Sequence, residues 1–288
     1  MNKQESLALL AEGRADWNAW ANDLLAERAR LEEAGEWEAA EAEWEARARV
    51  DFDDHEFEDD VSFGEFIFPG DAQFNGATFS GNAWFGDATF SGIAWFGDAT
   101  FSGYAWFGGA KFSGTARFGD ATFAGTAGFG DAAFSGDAWF NGATFSDDAR
   151  FGDATFSGIA WFAGATFSRD AGFGQTKFTG YSSFRNTHFL GNVTFAATEV
   201  KSAFSLEGAV FELVPDFNQA HFDEAPRLDS LRIEPGASSK NIAKSNNSHP
   251  RKTLGNTSRT FYSRPSPRRS PNMPACLATQ TARRGGGR

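Results

Sequence analysis

The feature that most constrains this chain is the spacing of its phenylalanines. Phe74, Phe79, Phe85, Phe90, Phe96, Phe101, Phe107 and Phe112 fall alternately five and six residues apart. Alanine stands two residues before most of them, at Ala72, Ala77, Ala83, Ala88, Ala94 and Ala99. The stretch GDATFSGIAWFGDATFSGYAWF, from Gly86 to Phe107, nearly repeats itself, so the period is 11, or 22 if four such units make one turn. The alternation continues back through Phe68, Phe63, Phe57 and Phe52. It continues forward through Phe195, Val200, Leu206, Phe211, Phe217, Phe222, Leu228 and Ile233 without an insertion or deletion. A spacing of 22 sorts these residues into four columns, one of which holds Phe74, Phe96, Phe118, Phe140 and Phe162.

An 11-residue period also suits a helical coiled coil. Most unit pairs here contain glycine, which costs about 1 kcal/mol in a helix interior, together with Asp, Asn or Ser at turn-like positions. A solenoid of very short strands joined by turns is the consistent alternative, with glycine expected to supply the unusual turn conformations. One large ring then points inward per side, and like stacks on like at about 4.8 Å. The small alanine fills the space beside it. Thirty-four inward positions between Phe52 and Ile233, taken four to a turn, predict roughly eight coils and a rod on the order of 40 Å long.

The motif Ala-x-Phe-x-Gly, as in Ala77-Thr78-Phe79-Ser80-Gly81, resembles the pentapeptide-repeat family, and in particular its Phe-rich branch in which five- and six-residue units alternate. The resemblance covers residues 51–234. It implies an all-β solenoid, a right-handed quadrilateral β-helix. The sixth residue in every second unit departs from strictly five-residue members of the family.

Charge divides the chain into three parts: net −6 over residues 1–50, −17 over 51–234, and +11 over 235–288, which hold no Asp or Glu. Residues 1–50 read as an α-helical N-terminal cap of the kind that an exposed solenoid end requires. Gly13 and Gly35 break it into helices, Trp17, Trp20, Leu24, Leu25 and Leu31 share one face, and Trp37, Trp44 and Val50 line the next segment. Residues 235–288, rich in Ser, Asn, Pro and Arg without periodicity, are expected to be a disordered basic tail. That tail is either a solvated remnant or an arm for acidic surfaces through Arg264, Arg268, Arg269, Arg283 and Arg284. One cysteine, Cys276, fits a reducing compartment. With no signal-like or membrane-spanning apolar segment, a cytoplasmic protein without membrane contact is expected.

Chemistry is sparse. His55, His188, His221 and His249 are scattered, and His188 and His221 should point from opposite sides, so no metal centre is expected. The serines after phenylalanine lack a histidine partner, and the Gly-Asp pairs lack calcium-roll spacing. No enzyme activity and no cofactor are expected. What remains is surface. Residues preceding the inward phenylalanines face out, giving Trp84 and Trp106 in one column and Trp95, Arg117, Trp139 and Trp161 in another. Aligned Trp and Arg is interface composition, and equally suits mutual stacking between coils. These six residues are the candidate protein-contact surface of a non-enzymatic interaction or scaffold module. The alternative, following the family resemblance and the acidic rod, is a DNA mimic that binds a gyrase-like topoisomerase or another DNA-binding enzyme. Thr78, Thr100, Thr122, Thr144 and Thr166 form a further row, which suggests ice binding as a third reading. Homodimerisation through a solenoid end is a further expectation.

Overall fold

A computed structural model of the protein describes residues 1–233; the basic tail expected over 235–288 lies outside the described residues. Three helices, α1 (Lys3–Glu12), α2 (Arg14–Ala34) and α3 (Trp37–Ala48), precede a run of two-residue strands from Val50–Asp51 to Arg232–Ile233. Four strands make one turn. Each pairs in parallel with the strand 22 residues further on, as Ala94 does with Ala116 and Phe101 with Phe123. The outcome is a four-sided parallel β-solenoid with sheets of eight, nine, seven and eight strands.

Side one runs from Val50–Asp51 through Ala94–Trp95 to Phe204–Ser205, and side two from Glu56–Phe57 through Thr100–Phe101 to Arg232–Ile233. Side three runs from Val61–Ser62 through Ala105–Trp106 to Val193–Thr194, and side four from Ile67–Phe68 through Lys111–Phe112 to His221–Phe222. In chain order, sides one and three are opposite, as are two and four.

The core is the phenylalanine columns. Phe118 lies 4.8 Å from both Phe96 and Phe140, with ring planes within 2° of parallel. Across the interior it meets Phe107 and Phe129 edge-on at 5.3 and 5.4 Å. Aromatic pairs favour both arrangements. Beside the rings, alanines such as Ala94, Ala99, Ala105 and Ala116 are fully buried. Where the alanine becomes threonine, the extra hydroxyl is satisfied: Thr176, Thr187 and Thr198 donate to the carbonyls of Phe151, Phe162 and Phe173 at 2.8 Å.

The turns differ from expectation in which residue takes the left-handed conformation. In Phe85-Gly86-Asp87-Ala88 the positive φ falls on Asp87 (56°), and likewise on Asp98, Asp120, Asp131 and Asp153; glycine takes that slot at Gly76, Gly109, Gly142, Gly164 and Gly208. Asp tolerates this region better than most side chains. The other glycine of each unit permits close stacking instead: a Cβ on Gly136 would sit 2.5 Å from the Gly114 carbonyl oxygen of the preceding coil. Many corner acids also have partners along the rod. Asp53, Asp71 and Asp137 accept from the backbone N–H of Asn75, Ile93 and Ile159, at 2.7, 2.8 and 2.9 Å.

The helices close the first coil. The Trp17 ring packs against Phe52, Phe66 and Phe68, and its indole N–H donates to the Ile67 carbonyl at 2.8 Å. Asn18 accepts from the Ile67 N–H and donates to the Glu65 carbonyl, Ser6 accepts from the Asp51 N–H, and Lys3 donates to the Asp53 carbonyl. These bonds pair backbone groups that a terminal strand otherwise leaves open. Phe66, outside the five–six alternation, occupies an alanine position and is buried by this contact; Phe204, at an alanine position near the other end, is buried against Phe184, Phe195 and Phe222. Helix α3 ends at Ala48, short of the expected Val50, because Val50 pairs with Ala72 and turns into the alanine column, fully buried.

Two outcomes are expected. Phe118→Ala leaves a cavity in a column that cannot collapse without breaking coil spacing, and should cost about 3–5 kcal/mol in guanidinium unfolding. Burial pushes the Asp53 carboxyl above the ordinary carboxylate range; bonds from Asn75 oppose this, and the charges of Asp51 and Asp54 add to it. An acid whose folded pKa is raised contributes stability present below its unfolded value and lost as pH rises through the folded value. Asp53→Asn should therefore flatten the decline in stability above the ordinary Asp pKa, read from urea unfolding between about pH 3 and pH 7; parallel profiles for the two chains would refute it.

Candidate functional site

The outward residues divide between two opposite sides. Trp95, Arg117, Trp139 and Trp161 stand in successive strands of side one, in register with one another. Trp84 and Trp106 pair on side three. The six residues therefore do not form one surface. The reason is the 22-residue turn: two six-residue units, 11 residues apart, supply opposite walls.

On side one the residues stack along the rod. The Arg117 guanidinium carbon lies 4.0 Å from the ring centroid of Trp95 and 4.6 Å from that of Trp139. Each such contact is worth about 1 kcal/mol when partly desolvated. The inner faces of both indoles are therefore occupied. Trp161 continues the stack edge-on, 6.4 Å from Trp139 at 71°. The position above it is Ser183, so no ring covers its far side, and Trp161 is 43% exposed, the one exposed tryptophan among the described residues. Ile93, Ile159 and Tyr181, each half-buried, lead into strands of this wall.

The stack carries an unusual polar feature. The indole nitrogens of Trp95 and Trp139 and the Nε of Arg117 are buried without hydrogen-bond partners. Most buried donors in native proteins are paired, and exceptions call for an explanation.

Side three is built differently. Tyr104 lies between Trp84 and Trp106, at 5.3 and 5.8 Å. The Trp106 ring lies flat on backbone, where a Cβ on Gly108 or Gly128 would strike it. Burial pushes the Tyr104 phenol up, with Arg150 opposing. Tyr104 was not apparent from spacing because it sits in the turn, where Asn82 and Thr126 stand in neighbouring coils. Also unforeseen were Leu190, Leu213 and Val214, at 47, 45 and 37% exposed, whose signal is that they replace Ser, Gly or Asn at the corner before side three.

The remaining candidates are dispersed. The threonine row from Thr78 to Thr166 lies on side two, half-buried, between Glu56 and His188. His188 is on side two and His221 on side four, with His221 Nε2 3.0 Å from Asp223. Among the described residues no group of three or more His, Cys, Asp or Glu could hold a metal ion, and no helix is long and apolar enough to cross a membrane.

Comparison with protein families finds a match to the model described as pentapeptide repeats (9 copies), over residues 63–111, 107–155 and 151–199. Comparison with curated proteins and with solved structures finds no match. The matched segments lie wholly within the four-sided coil, and their repeat is the one that builds its phenylalanine columns: residues 63–199 are pentapeptide repeats of that family.

Proposed function

We propose that this protein is a non-enzymatic interaction module that contacts another protein through the outer surface of side one. The observation that carries this reading is Trp161. It extends a rigid stack, leaves one face uncovered at 43% exposure, and has Ile159 and Tyr181 on the same wall. A large aromatic held by its neighbours binds with little loss of side-chain freedom, which is the character of an interface anchor. Trp84 and Trp106 belong to the opposite wall and serve as controls. The full chain immobilised against its native lysate should retain a partner that Trp161→Ala loses and Trp84→Ala keeps. Retention that is indifferent to Trp161 would sink the proposal.

A second reading, a DNA mimic, draws support from acids repeated in successive coils. Asp98 and Asp120 share one corner and Asp131 and Asp153 the diagonal one, all exposed. Against it, other acids of the rod spend their carboxylates on the next coil's backbone. If the mimic reading holds, the protein inhibits gyrase supercoiling at low salt and loses that effect as ionic strength rises; no inhibition at any salt concentration removes it.

A further inference from the structure

We infer that Arg117 is a preorganised receptor for a single carboxylate, and that the occupant of side one is an extended acidic segment of a partner protein, an Asp or Glu set between apolar side chains. This rests on side one being the contact surface and names the chemistry that surface would recognise.

Three observations lead there. First, Arg117 has no acidic partner among the described residues: it enters none of the ion pairs, whereas Arg150 on the opposite wall pairs with Asp148 and Arg185 with Glu207. Second, its guanidinium is clamped between the rings of Trp95 and Trp139. Clamping fixes the plane of the fork and leaves its edge as the direction of approach. A planar fork held in this way matches a carboxylate with two parallel N–H bonds, and its freedom has already been lost. Third, the stack holds buried donors without acceptors, at Arg117 Nε and at both indole nitrogens. A row of threonines, like that on side two, would form the same sheet without that cost, though also without the two cation–π contacts that offset it. With Nε buried, the two terminal nitrogens of the fork are the donors a carboxylate would meet.

The charge nearby selects among anions. Asp98, Asp120 and Asp137 occupy the same coils as the stack, and Asp137 already accepts from the Ile159 N–H. These acids oppose any anion, and oppose a doubly charged phosphate about twice as strongly as a singly charged carboxylate, so a single carboxylate held by the fork is the anion they disfavour least. Ile93 and Ile159, in the turns leading to Trp95 and Trp161, are half-buried and give apolar flanks of the peptide a place to pack.

The test is fluorescence anisotropy of the full chain with labelled heptapeptides that differ only in the central residue, aspartate, asparagine or phosphoserine, with leucines on either side. The aspartate peptide should bind, with the asparagine peptide roughly tenfold weaker or worse, the scale of charge-assisted hydrogen bonds. Arg117→Leu should abolish that discrimination, Arg117→Lys should keep only part of it because the fork is lost, and Arg150→Leu should leave it intact. Equal binding of aspartate and asparagine peptides, tighter binding of the phosphoserine peptide, or no measurable binding of any of them overturns the inference. Should aspartate discrimination be absent while lysate capture still depends on Trp161, the carboxylate assignment falls and the contact surface stands. Should capture be indifferent to Trp161 as well, both fall.

Discussion

The stacking of phenylalanine on phenylalanine at the spacing of the backbone ladder is the interaction on which this molecule rests. Parallel strands bond coil to coil, as Phe118 N–H does to the Trp139 carbonyl at 2.7 Å, and this fixes the rise per turn. Rings that share a column are then carried to 4.6–5.0 Å from one another, near-parallel, as in Phe68–Phe90 and Phe107–Phe129. The ladder and the stack demand the same distance, so neither strains the other. The agreement holds only while every coil has 22 residues. One residue more or less would rotate each later ring out of its column, and none occurs between Phe52 and Ile233.

Other features follow from that tight rise. Little room is left where successive corners approach, so the glycine of Phe-Ser-Gly stacks carbonyl against α-carbon with no space for a Cβ. Aspartate can take the left-handed slot because its short side chain tolerates that backbone. Corner acids of neighbouring coils would repel one another, and the rod offsets this in part by turning Asp53, Asp71 and Asp137 onto backbone N–H groups of the next coil. The first coil has no coil before it, and Trp17, Asn18, Ser6 and Lys3 take the place of one.

The same spacing orders the outside. A residue facing outward meets its counterpart one coil away, so Trp95, Arg117 and Trp139 become a stack and Thr100 meets Thr122. An outer wall of such a rod is therefore a rigid, regular array, and what distinguishes one wall from another is where the array is interrupted. On side one the interruption is the change from tryptophan to serine between Trp161 and Ser183, which leaves one indole face uncovered at the end of the stack. On side three it is the glycine at 128, on which Trp106 lies down.

The sequence by itself determined the solenoid, its four columns, the inward phenylalanines and alanines, and the column to which each outer tryptophan belongs. All of these depend on a period that is unbroken along the chain, and periodicity is a property that a linear string carries in full. The tertiary structure alone decided the rest. It set the column of Trp84 and Trp106 on the wall opposite that of the other tryptophans, because which sides face each other depends on closing the turn. It laid Arg117 between two indoles, turned Trp106 onto glycine, and drew Val50 out of a helix into the first strand. It also buried Phe66 and Phe204 at alanine positions, where a neighbouring helix or an end coil leaves space. Each of these outcomes depends on contacts between residues about one turn or more apart, and on the volume left when those residues meet.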